Sequence, residues 1–131
     1  MKSLLPIAAL ALSACAVVPD TPIVSTNRDI AASGSAVGFN QPVWVSPELV
    51  VTPIRLTEDS RCPENARCVW AGKAVLETRL DGVGWRQTVP LTLGEPYEVR
   101  GQAVTLVSVL PNKQAERQIP VETYRFAFEA E

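Results

Sequence analysis

Two runs of alternating apolar and polar residues, separated by a glycine-rich turn, constrain this chain more than any other feature. In residues 73–80, Ala74, Leu76, Thr78 and Leu80 take one parity and Val75, Glu77 and Arg79 the other. In residues 85–93, Trp85, Val89, Leu91 and Leu93 share a face. A period of two places successive side chains on opposite faces of a strand, so each run is a half-buried strand and not a helix. Asp81-Gly82-Val83-Gly84 between them is turn chemistry, which predicts an antiparallel hairpin.

The other segments extend this pattern. Residues 36–45 alternate through Val37, Phe39, Val43 and Val45, with Trp44 on the opposite face. Pro42 lacks an N–H and restricts that stretch to an edge strand or to two short pieces. Residues 49–57 are rich in β-branched side chains, with Val50, Thr52, Ile54 and Leu56 expected on one face. Residues 97–100 form a short strand that Gly101 ends. Residues 104–110 are nearly all apolar, the mark of a strand covered on both faces. Residues 111–118 are a polar loop, and residues 121–129 close the domain with Tyr124, Phe126 and Phe128 on one side. No segment sustains a period of 3.6. The expectation is an all-β domain over residues 36–131, a single antiparallel sandwich or small barrel of about seven strands. The apolar content of 47% suits one folded globule.

The N-terminus has a different character. Lys2 precedes a short apolar run, residues 4–12, and then Leu12-Ser13-Ala14-Cys15. A run this short does not span a bilayer and is expected to be a signal segment, residues 1–14. The last four residues resemble the lipobox of bacterial lipoproteins. That resemblance implies cleavage before Cys15 and lipidation of its thiol, and acyl chains add about 0.8 kcal/mol of membrane affinity per buried CH₂. By the same resemblance, Ala16 in place of an aspartate implies sorting to the outer membrane, facing the periplasm. Residues 15–35, with Pro19, Pro22, Ser25, Asn27 and Gly34, are expected to be a flexible tether with a reach of about 20–25 Å.

An exported chain can form disulfides. With Cys15 lipidated, Cys62 and Cys68 are the one remaining pair among three cysteines. Redox pairs usually have two residues between the cysteines; here there are five, in a loop between strands. Pro63 stiffens the turn. Asp59 and Ser60 can cap its backbone N–H groups. Arg61 and Arg67 lie among Glu58, Asp59 and Glu64, close enough in sequence for local ion pairs. Trp70 is two residues past Cys68, so a strand there would put the indole over the bridge.

Residues 58–72 carry Asp59-Ser60-Arg61-Cys62-Pro63, four further residues, then Cys68-Val69-Trp70-Ala71-Gly72. This resembles the motif of a family of small exported bacterial lipoproteins, a β domain with no activity attached to the motif. Asp59, Ser60, Arg61 and Trp70 are therefore candidate residues either for binding or for organising the loop.

Several function classes lose support. The chain has no histidine, which removes Ser-His-Asp and Cys-His nucleophile activation and every histidine-containing metal site. A net charge of −2 without a basic run gives no electrostatic footprint for nucleic acid. Glu58, Asp59 and Glu64 suit a solvated loop more than a pair of catalytic carboxylates or a calcium site. A buried Asp59 with a raised pKa beside a pocket would favour an enzyme; an exposed apolar patch around Trp44 or Trp85 would favour interaction. The expectation is a lipid-anchored, non-catalytic binding module of the cell envelope, without metal or cofactor, meeting an envelope protein or glycan. The alternatives are a structural envelope lipoprotein with no discrete ligand, or an inhibitor of an envelope enzyme.

Overall fold

The computed structural model describes residues 29–131. The signal segment, Cys15 and the tether up to residue 28 lie outside the described residues. Among the described residues, seven strands form two antiparallel sheets. The first sheet holds β1 (Val43–Ser46), β2 (Leu49–Asp59), β3 (Ala74–Gly82) and β4 (Trp85–Thr92), in that order. The second holds β5 (Tyr97–Val99), β6 (Gln102–Leu110) and β7 (Arg125–Ala130). The sheets remain separate, so the architecture is a sandwich-like pair of layers.

The β3–β4 hairpin forms as its alternation predicts. Its register pairs Leu76 with Leu91 and Thr78 with Val89, and Ala74, Leu76, Thr78 and Leu80 are all buried. The turn is shorter than the run of turn residues suggests. The strands continue to Gly82 and restart at Trp85, leaving only Val83 and Gly84 between them. Asp81 is thus a strand residue. Gly82 is required by the Trp85 ring lying against it: a Cβ there would stand 2.1 Å from the indole.

The core lies between the layers. Val43, Val45, Leu49, Val51, Leu76, Leu80, Val89 and Leu91 face Val99, Val104, Leu106, Val109, Tyr124, Phe126 and Phe128. Tyr124 and Phe126 stack in parallel, and Phe39 meets both edge-on at centroid distances of 5.9 and 5.0 Å. The expected face shared by Tyr124, Phe126 and Phe128 is therefore present. Tyr124 itself stands just before β7, after a single 3₁₀ turn, Val121–Thr123.

Three expectations change. In β2 the core face carries Leu49 and Val51, not Val50 and Thr52. A register shift between Pro53 and Arg55 then swaps the faces, and Leu56 packs against the core as expected. A bulge inserts one residue on one strand and reverses parity, which strict alternation cannot anticipate. In β6 only one face is covered, since Val107 and Leu110 are 40% and 45% exposed. Finally, residues 36–45 divide as Pro42 allows, but between the two sheets. Val37 bridges Phe126 of the second sheet, and β1 joins the first. Ala31, expected in the tether, accepts from Trp44 N–H and donates to the Pro42 carbonyl, so backbone pairing with β1 extends upstream of Ala36.

Candidate functional site

The segment between β2 and β3 contains the Cys62–Cys68 disulfide, with Cα atoms 5.9 Å apart. Its base is a closed polar lock. Arg61 donates from Nε and Nη2 to the two carboxylate oxygens of Asp59, at 2.7 and 2.9 Å. The same guanidinium donates to the carbonyls of Val109, at 2.8 Å, and Pro111, at 3.2 Å. Tyr124 Oη donates to Asp59 Oδ2 at 3.0 Å, and Lys113 Nζ donates to the Asp59 carbonyl. Asp59 ends β2 in one sheet; Val109 lies in β6 of the other, and Tyr124 immediately precedes β7. The lock therefore ties the two layers together at one end of the sandwich.

The side chains of Asp59 and Arg61 are 12% and 13% exposed, so this is not the solvated ion pair that loop composition suggests. Burial pushes the Asp59 carboxyl up, but the hydrogen bonds from Arg61 and Tyr124, with the charges of Arg61 and Lys113, hold it below the usual carboxylate value. Tyr124 moves the other way, to about 12, through burial and the neighbouring carboxylate. An acid held ionised and surrounded by donors is an anchor and not a proton donor.

Ser60 completes the closure. Its Oγ accepts from Lys73 N–H at 3.0 Å and its own N–H donates to the Lys73 carbonyl at 2.8 Å. Gly72 stands beside this pair at φ +69°, where a Cβ would fall 1.7 Å from the Ser60 carbonyl oxygen. Only glycine fits both the angle and the approach. Further out, Glu64 accepts from Asn112 and Gln114, and Asn65 accepts from Ala115 N–H. Glu58 pairs with Lys73.

Trp70 differs from its expected position. It lies in a bend and not on a strand, and it is 82% exposed beside Val69 at 88%. Trp44 and Trp85, where an exposed apolar patch would favour interaction, are both half-buried; Arg100 covers the Trp85 ring at 4.8 Å. Asp59 and Arg61 thus face into the fold, Ser60 is exposed but spent on the Lys73 backbone, and Trp70 faces out.

Two groupings were not legible as sites. A cleft of about 510 Å³ runs along β2, lined by residues 54–59 together with Phe39, Asn40, Ile119, Val121 and Tyr124. Asp81 is fully buried on the face of β3 away from the core, where Arg79 and Arg86 bond its carboxylate. Its place in a run of turn residues concealed it. The cleft depends on the return of residues 119–124 to β2, and no local pattern encodes that. Among the described residues, no group of three or more acids and cysteines is arranged to hold a metal ion. No family model, curated protein or solved structure matches the chain.

Proposed function

We propose that the protein is a lipid-anchored binding module of the cell envelope that presents Val69 and Trp70 to a partner. The observation that supports this is the division of labour within the segment after β2. Asp59, Ser60 and Arg61 are consumed in closing the fold, while an adjacent large aromatic is 82% exposed on a disulfide-stapled loop. Tryptophan is among the residues most often found as interface anchors. Leaving it in water contributes nothing to folding, and a loop already ordered by a bridge and a polar lock loses little entropy on binding. The lipobox-like Leu12-Ser13-Ala14-Cys15 supplies the anchor in this reading.

A photocrosslinking amino acid at position 70, compared with one at the exposed position 107, tests the module in its own envelope. A discrete adduct to an envelope protein or glycan at 70, absent at 107, is the expected result. The absence of any position-specific adduct would leave a structural lipoprotein as the better reading. The anchor is tested separately: globomycin should cause an uncleaved precursor to accumulate, and unchanged processing rules out lipidation at Cys15.

A further inference from the structure

The edge of β2 is paired over only part of its length. β1 covers residues 49–51, and Asn40 N–H takes the Pro53 carbonyl at 2.7 Å. Beyond that point, among the described residues, no backbone hydrogen bond reaches residues 54–58 from the side away from β3. Ile54 and Thr57 are also skipped by the β2–β3 register, because a shift falls at each. Unpaired strand edges are templates for another strand, and folded proteins usually shorten, cover or charge them. Here the edge forms one wall of a cleft, with Phe39, Ile119, Val121 and Tyr124 supplying apolar surface. Val121 is 66% exposed, so part of that surface faces water.

The charges along the cleft are unequal. Arg55 is paired with Glu77, Glu58 with Lys73, and Asp59 with Arg61. At the Asp59 end a second hollow of about 330 Å³ continues past Ile119 and Tyr124 to Lys113 and Arg117. Arg117 is exposed and forms no ion pair among the described residues. The acids that line the cleft are paired, and a cation is left over at one end.

We propose that residues 54–58 are a docking strip for an extended peptide of another protein, which adds to the sheet as a strand beside β2 and places an acidic side chain at Arg117 and Lys113. The free edge is about 17 Å long, room for about five peptide residues. Main-chain hydrogen bonds supply the affinity, alternate apolar side chains enter the cleft, and the acidic residue sets the register. This surface is distinct from Trp70 and does not depend on lipidation.

Hydrogen exchange on the full chain in detergent micelles tests it, with acetyl-Thr-Val-Thr-Val-Thr-Glu-amide as the probe. At a tenfold excess over Kd, exchange within residues 54–58 should slow by about tenfold. Replacing the peptide's Glu by Lys should weaken binding by about fivefold, the scale of one exposed charge pair, and Arg117→Glu should reverse that preference. Trp70→Ala should change nothing. Four outcomes overturn the proposal: no protection of residues 54–58 at about 1 mM peptide; equal binding by a peptide N-methylated at alternate residues; loss of the protection in Trp70→Ala; or protection that rises with protein concentration alone, which would make a second copy the occupant. The first is also the result expected if Arg55 and Glu58 merely guard a solvated edge.

Discussion

Arg61 Nη1 donates to the carbonyl oxygen of Val109 at 2.8 Å, across 48 residues of sequence and from the segment after β2 to a strand of the second sheet. The same side chain neutralises Asp59, so it acts as both tie and counter-ion. Arg61→Ala should destabilise the fold by about 3 kcal/mol, because it leaves a largely buried carboxylate whose main partner is gone. Arg61→Lys should recover only part of this. A lysine can meet one carboxylate oxygen or one carbonyl, but it cannot span Asp59, Val109 and Pro111 together as the planar fork does. Urea unfolding of the three proteins measures both losses, and equal stability of the Ala and Lys variants would show that charge contributes nothing without geometry.

Gly72 and Gly84 separate two effects that glycine usually combines. Both have positive φ, +69° and +73°, but only Gly72 has an atom in the way, the Ser60 carbonyl oxygen. Gly84→Ala should cost about 1 kcal/mol for the left-handed backbone alone. Gly72→Ala must also move the Ser60–Lys73 pairing, and should cost at least twice as much. Thermal unfolding midpoints compare the two directly. Similar shifts would mean that the segment after Trp70 yields easily.

The legible and hidden parts of this fold differ in how far apart in sequence their causes lie. Ala74, Leu76, Thr78 and Leu80 revealed their face because period two is local. The disulfide followed from cysteine arithmetic once Cys15 was set aside. The roles of Asp59 and Arg61 are not local, because their partners, Val109, Pro111, Lys113 and Tyr124, are 48 to 65 residues away. Trp70 departs from strand geometry for a related reason: it lies in a bend beside the close Gly72–Ser60 approach. The parity of β2 failed at a bulge, where one extra residue exchanges inside and outside.

The pH dependence of stability should fall at two extremes. Asp59 has a lowered pKa in the fold, so its contribution is complete above the ordinary carboxylate value of 3.8 and is lost as pH drops through the lower folded value. Tyr124 has a raised pKa, so its contribution is complete below 10 and is lost as pH rises from there to about 12. Tyr124→Phe should remove the alkaline loss and lower neutral-pH stability by about 1–2 kcal/mol, the range for a hydrogen bond to a charged group with other donors remaining. Unfolding midpoints across pH, for wild type and Tyr124→Phe, test the assignment; an alkaline limb that persists in the Phe variant assigns it to another group.

Reduction of the Cys62–Cys68 bridge should lower stability without releasing the loop. Closing seven residues restricts the unfolded chain by about 2–2.5 kcal/mol in the chain-entropy account, and that contribution disappears with the bridge. The folded loop keeps other attachments. Cys62 N–H donates to the Ala71 carbonyl at 3.1 Å, Glu64 N–H donates to Lys113, and the Glu64 and Asn65 side chains hold residues 112–115. A Cys62→Ser/Cys68→Ser protein should therefore lose about 2 kcal/mol in urea unfolding, while amide exchange across residues 62–71 changes little under native conditions. Adding Glu64→Ala should then loosen the loop, raising that exchange with only a small further loss of global stability, because the removed bonds are exposed. If the double serine variant alone frees the loop, the bridge and not the hydrogen-bonded contact with residues 112–115 is what orders the platform for Trp70.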